Sequence, residues 1–179
     1  MQKIYRGFWA AAILAVGSAA LAQDSIGPKP DPTHIPFILP QNIPWKGFGE
    51  GSRTYPIFGD VNKPGPYAVL LMWPPHQMSR PHFHQKLRYI TVLSGHWWVS
   101  SSNVYDPSKT YPLPPGTLVQ DMPNTVHWDG AKDEPVVLEI MGDGPAPNIN
   151  VDEKGKPLPP QPGRGDAGAA PAPGKAKDR

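Results

Sequence analysis

Two of the six histidines stand in Pro81-His82-Phe83-His84. On a strand, side chains alternate between faces, so His82 and His84 would share one face while Phe83 takes the other. A third, His127, ends Asp121-Met122-Pro123-Asn124-Thr125-Val126-His127, just beyond a strand-like stretch and a proline turn. Neutral imidazole is the commonest protein ligand for Zn, Fe, Mn, Ni and Cu. Three imidazoles on a rigid sheet would leave open positions for water or substrate. A His-x-His on a strand is by itself only a weak sign of such a site.

The elements that must position these rings are short and β-rich. Apolar runs cover Tyr67 to Trp73, Leu87 to Leu93, His96 to Val99, Thr117 to Gln120 and Val136 to Met141, each bounded by Gly, Pro, Asn or Asp. Leu93-Ser94-Gly95-His96 reads as a tight hairpin joining two strands, and Pro114-Pro115-Gly116 as a second corner. So many short strands and turns in residues 46–151 predict an antiparallel sandwich or small barrel. No Gly-x-Ser-x-Gly elbow, phosphate-cradling glycine loop or cysteine nucleophile is present.

The order of these features is informative. After His82 and His84 come a strand, the Gly95 turn, a second strand, the Pro115-Gly116 corner, and then His127. This arrangement resembles the cupin superfamily, whose first motif is His-x-His followed by a glutamate and a glycine, and whose second is Pro-x-Gly followed by a histidine. The match runs from Tyr67 to Met141. The strings 81–99 and 126–134 look like those of a group of small, mostly uncharacterised bacterial cupins. The resemblance implies an all-β fold, a double-stranded β-helix or jelly-roll barrel, with one divalent transition metal (Fe, Mn, Zn, Ni or Cu) held by His82, His84 and His127 at its mouth.

One position departs from that motif. Seven residues before Gly95, where the family carries its glutamate ligand, stands Arg88. A guanidinium only donates hydrogen bonds and cannot coordinate a cation. Three consequences stay open. Arg88 beside an uncompensated metal would attract an anion; it would turn outward or pair with Asp121, Glu134 or Glu139; or the site has lost its metal. Glu139, inside the apolar strand Val136 to Met141, is a candidate partner or replacement ligand, against the plainer reading of a solvent-facing residue. Trp98 is the candidate aromatic contact for a ligand, although at most one of Trp97 and Trp98 can face inward.

The flanks carry other signals. Residues 1–22 read as a secretory signal, with Lys3 and Arg6, an apolar run from Gly7 to Val16 and the ending Ala20-Leu21-Ala22, so Gln23 is the expected mature start. Residues 23–45 hold six prolines, which forbid helix and favour an extended arm that packs on the domain or on a second subunit. Residues 152–179, without an aromatic and rich in Pro, Gly, Ala and Lys, are expected to be a disordered tail.

Composition excludes several classes. With 26 prolines among 179 residues, helical bundles and coiled coils are ruled out. Of 17 basic residues, Lys3 and Arg6 belong to the signal, leaving 15 against 15 acidic ones: a neutral mature chain with no charge for capturing nucleic acid or anionic membrane. Without cysteine, no disulfide can staple the fold after export. The sequence therefore reads as a periplasmic or secreted metal-binding cupin. It would take a small-molecule ligand and no nucleic acid, keep no stable membrane anchor once the signal is removed, and form a possible homodimer. As an enzyme it would be a metal-dependent, dioxygenase-like oxidoreductase acting on a small anionic molecule. The alternative is a non-catalytic protein that binds an anion or sugar through Arg88 and a tryptophan, with or without a structural metal; the candidate ligand contacts are Arg88, Trp98 and Glu139.

Overall fold

Inward and outward residues alternate along nearly every strand of the computed structural model, which describes residues 28–159. The expected signal over 1–22, the start at Gln23 and the tail beyond residue 159 lie outside the described residues. The chain divides after Leu39. In the first unit the described residues form no helix or strand. Asp31 builds a turn there, its Oδ1 accepting from Thr33 N at 2.8 Å and Thr33 Oγ1 at 2.7 Å, so the expected extended arm is interrupted by a side-chain-capped bend.

The second unit contains eleven strands and, among the described residues, no α-helix. They are β1 (Lys46–Gly47), β2 (Arg53–Phe58), β3 (Gly65–Trp73), β4 (His82–Phe83), β5 (Arg88–Ser94), β6 (Trp97–Ser100), β7 (Tyr111–Leu113), β8 (Leu118–Asp121), β9 (Trp128–Gly130), β10 (Val136–Gly144) and β11 (Ile149–Asn150). One sheet runs β1-β2-β3-β10-β5-β8; the others are β7-β6-β9 and β11-β4, and every pairing is antiparallel. Isolated bridges His82↔His127 and Met78↔Gly130 tie the β4 region to β9.

The Gly95 turn forms, but it does not close a hairpin. β5 pairs with β10 and β8, whereas β6 pairs with β7 and β9, so the turn carries the chain from one sheet to the other. Glycine is required there: φ is +70°, and a Cβ would stand 2.2 Å from the Pro135 carbonyl oxygen. Pro114 to Gly116 makes the return crossing from β7 to β8, with Gly116 N donating to Val92 O at 2.8 Å.

The cross-strand register stacks inward side chains of the large sheet in rows. Val69, Ile140, Ile90 and Val119 form one apolar row, and Leu71, Leu138 and Val92 the next. Trp97, Val99 and Leu113 from the β7-β6-β9 sheet pack on the same core cluster. Beyond the first of these rows the chemistry changes: Tyr67, Gly142, Arg88 and Asp121 sit side by side on β3, β10, β5 and β8. The inner face of the large sheet thus has apolar rows over most of its length and a polar row toward one end.

The first residues of the expected tail, 152–158, fall within the described part of the chain. Val151 bridges Pro157, and Asp152 Oδ1 accepts from Lys154 N and Lys156 N at 2.9 Å each, so residues 152–158 form a small ordered hairpin. The aspartate and Gly155, with φ +76°, supply the turn chemistry that composition alone obscured.

Candidate metal centre

His82 and His127 are joined by a reciprocal backbone pair, His82 N to His127 O and His127 N to His82 O, both 2.9 Å. Directly opposed antiparallel residues project to the same side, so this pair alone brings rings from distant segments together. Strand parity then returns His84 to the face of His82, and Asn124 N donates to His84 O at 2.7 Å, pinning that end. Ring centroids lie 5.0 Å (His82–His84), 4.5 Å (His82–His127) and 5.5 Å (His84–His127) apart.

Each ring is oriented by its Nδ1. His82 Nδ1 donates to Arg80 O at 2.7 Å, His84 Nδ1 to Pro147 O at 3.0 Å, and His127 Nδ1 to Thr125 O at 3.1 Å. A carbonyl only accepts, so Nδ1 carries the proton and Nε2 presents a lone pair. His84 Nε2 is buried without a hydrogen-bond partner among the described residues. Burial, reinforced by its imidazole and guanidinium neighbours, pushes the His82 pKa down to about 3 and holds that of His84 well below the ordinary histidine range. Both are therefore neutral donors near pH 7, the form a metal ion requires.

One ligand atom from each ring lies within 4.8 Å of the others. Nitrogens bound to a common ion at about 2.0–2.1 Å stand at most about 4.2 Å apart, so capture requires ring movements of about an ångström or less. An orphaned buried lone pair, an all-imidazole donor set and fixed tautomers fit one divalent transition metal.

Arg88 points inward and is paired. Its Nε and Nη2 donate to Asp121 Oδ2 at 2.8 and 2.6 Å, with only 12% and 6% of the two side chains exposed. The other Asp121 oxygen, Oδ1, lies 3.4 Å from His127 Nδ1. Asp121 therefore links the guanidinium to a metal-site ring. Of the possible partners, Glu134 instead accepts from His96 Nδ1 at 2.7 Å.

Two residues expected to contact ligand stand elsewhere. Trp97, not Trp98, occupies the inward position on β6, because Trp97 and Val99 share the parity that joins the core. Trp98 lies on the outer face with Lys132 Nζ 3.7 Å above its ring. Glu139 alternates with the buried Leu138 and Ile140 and falls on the outer face of β10 between Leu70 and Thr91.

Three polar residues inside the barrel were not picked out from the sequence as part of a site. Tyr67 is 1% exposed and its hydroxyl proton has no acceptor among the described residues. Asp129 is buried and accepts from the indoles of Trp73 at 3.0 Å and Trp97 at 2.9 Å, while Ser79 Oγ donates to its carbonyl at 3.2 Å. A polar residue at an inward parity is the only sequence signal for Tyr67 and Asp129, and Asp129 shares the parity of His127.

The histidine cluster borders two spaces. His127 and Asp121 line an open groove of about 640 Å³, walled by Trp97, Val99, Leu113 and Val119. His82 and Arg88 line an interior cavity of about 60 Å³ together with Asn148 and Asn150.

No protein-family model matches the chain, and no curated protein matches it in sequence. Solved structures do. A polyketide cyclase from Streptomyces resistomycificus is 14% identical over 65% of this chain and 87% of its own, with a TM-score of 0.50. A cupin-like protein from Thermotoga maritima is 21% identical over 59% and 79%, TM-score 0.47. A cupin-2 domain from Rhodospirillum rubrum is 15% identical over 72% and 81%, TM-score 0.48. At these identities the likeness is one of fold alone, an all-β architecture of antiparallel sheets shared with the polyketide cyclase.

Proposed function

We propose that this is an exported cupin that holds one divalent transition metal through His82, His84 and His127 and acts on a small anionic organic molecule. The observation that carries the reading is that three histidines each bring a ring nitrogen within 4.8 Å of the others, with every Nδ1 hydrogen-bonded to a backbone carbonyl.

Bound there, such an ion supplies Lewis acidity and, if it is iron, a redox couple. The chain's own residues do the rest. Three neutral imidazoles leave the ion's charge uncompensated, and Arg88 and Asp121 cancel one another, so the site as a whole favours an anion. The groove beside His127 is large enough for a small organic molecule, and its Trp97, Val99, Leu113 and Val119 wall shields an apolar body from water. A molecule with one anionic end and a compact apolar body suits that shape, and a metal-dependent oxidoreductase is the enzyme class we propose.

The test is metal analysis of protein reconstituted in turn with Fe, Mn, Zn, Ni and Cu, paired with His82→Ala. The expected result is about one equivalent in the wild type and less than about a tenth in the variant, since removal of one of three ligands leaves too few donors for a stable site. Wild-type protein that retains none of these metals overturns the reading. Export is tested separately by the N-terminal sequence of the mature protein, expected to begin at Gln23.

A further inference from the structure

The buried Tyr67 hydroxyl has the Arg88 guanidinium for a neighbour, which can only donate, and its own proton finds no acceptor among the described residues; the metal reading does not account for it. Buried polar atoms are nearly always satisfied, so an orphan inside a barrel points to an occupant. Its position is defined by register: Gly142 on β10 stands opposite Tyr67 on one side and Arg88 on the other. A Cβ added at Gly142 would meet Tyr67 Oη at 3.1 Å and the ring carbons Cε1 and Cζ at 3.3 Å. The phenol therefore lies across the bare Gly142 backbone, reaching from β3 toward β5 and the Arg88 guanidinium.

Arg88 also has capacity to spare. A guanidinium carries five N–H donors, and Asp121 occupies one on Nε and one on Nη2. Arg88 lines the interior cavity of about 60 Å³ with His82, Asn148 and Asn150. A water-sized site needs roughly 10–15 Å³ by this measure, so the cavity holds a group of a few heavy atoms. Burial pushes the Tyr67 pKa up, so the hydroxyl keeps its proton and remains a donor throughout the neutral range.

We propose that Tyr67 and Arg88 together form a carboxylate subsite beside the histidine cluster, with the Tyr67 hydroxyl and the free guanidinium N–H groups donating to the carboxylate oxygens of the bound molecule. This deepens the reading above by giving the anionic end of the ligand a place and a chemical class. It rests on that reading only for the metal's role, because the two donors belong to the chain whether or not a metal is bound. Gly142 is the residue that leaves room for the phenol.

Acetate is the probe, titrated calorimetrically into zinc-loaded and metal-free protein, with zinc content and urea midpoint read on the same samples. Tyr67→Phe is expected to weaken acetate binding about tenfold in both forms, the effect of losing one hydrogen bond to a charged acceptor, with zinc content unchanged. Gly142→Ala keeps the hydroxyl but crowds it, and is expected to weaken acetate several-fold in the same way. A phenol with a purely structural role, for instance one bonded to a buried water, predicts the opposite pattern: a lower urea midpoint for Tyr67→Phe with acetate affinity unchanged. That pattern overturns the proposal, as does wild-type protein that binds no acetate. Full zinc uptake with unaltered acetate affinity in both variants sinks the subsite and leaves the metal reading standing. Acetate binding that depends on Tyr67 in a protein that takes up no metal does the reverse.

Discussion

Asp121→Asn is the substitution whose consequence follows most directly from the geometry. The carboxylate accepts two charge-assisted hydrogen bonds from Arg88 at 2.6 and 2.8 Å, in a setting where 12% of the arginine and 6% of the aspartate side chain remain exposed. Asparagine keeps one carbonyl acceptor but removes the charge, leaving a buried guanidinium that cannot deprotonate. Removing one partner of a buried ion pair costs about 3–5 kcal/mol, and the retained acceptor places this case near about 3 kcal/mol. For a domain of this size that is a fall in Tm of roughly 10–15 °C. Urea unfolding of the metal-free protein measures it. The cycle is completed by Arg88→Met alone and combined with Asp121→Asn. Because the penalty comes from the stranded charge, the double variant is expected to recover about 2 kcal/mol of the loss in the aspartate variant. A loss under about 1 kcal/mol, or a double variant no better than the sum of the singles, would show that the pair is solvated and that the polar row is not an interior feature. The same variant also removes a negative charge 3.4 Å from His127 Nδ1, whose hydrogen bond to Thr125 O stays in place, so zinc affinity is expected to fall by no more than about tenfold.

Other expectations follow from single features. The metal-free protein should lose stability as the pH falls. His82 and His84 are held neutral when folded but titrate freely when unfolded, so below the ordinary histidine range the unfolded chain binds more protons. For His82 the loss between pH 7 and pH 5 is about 2 kcal/mol, with His84 adding a loss of the same sign; a urea midpoint flat across that window refutes it. Gly95→Ala, at φ +70° with the Pro135 carbonyl 2.2 Å from the added Cβ, is expected to cost about 2 kcal/mol or more in the same assay. Glu139→Gln and Trp98→Phe, on outer faces, should each change stability by no more than about 0.5–1 kcal/mol and leave zinc stoichiometry unaltered. A loss of metal in either would mean that strand parity has been misread.

How much of this was legible depended on whether the deciding contact was local. His82 and His84 share a face by parity, which two residues of sequence specify. His127 was a candidate from its place beyond a strand and a proline turn, but its meeting with the other two rings is made by a backbone pair between distant segments, which no local pattern specifies. Asp121 was one of three candidate partners for Arg88, and the register Arg88↔Asp121 on β5 and β8 selects it. Tryptophan is apolar at either parity, so the pattern could not rank Trp97 against Trp98; Asp129, whose carboxylate accepts the Trp97 indole, marks the inward one. The Gly95 turn was legible but its sheets were not, because a turn records a change of direction and not the strands' later partners. β2, β7 and β9 escaped notice for a simpler reason: Pro56 and Pro112 interrupt the first two, and β9 is three residues long.

The backbone origin of the histidine cluster has a consequence for metal removal. In a small domain whose metal holds the fold together, the ligands are assembled by the ion, and chelation unfolds the chain. Here two backbone hydrogen bonds join His82 to His127, a third holds the His84 carbonyl, and apolar rows such as Val69, Ile140, Ile90 and Val119 lie beneath, all formed without an ion. Chelation of the zinc-loaded protein should therefore leave the far-ultraviolet circular dichroism of the barrel intact. It should lower Tm only by the linkage term, about 4 kcal/mol of stabilisation where free zinc exceeds its dissociation constant a thousandfold. That stabilisation should shrink in proportion to the logarithm of free zinc. Loss of the β spectrum on chelation would mean that the ion builds the site, and the preorganisation argued from His82 N, His127 N and Asn124 N would fail with it.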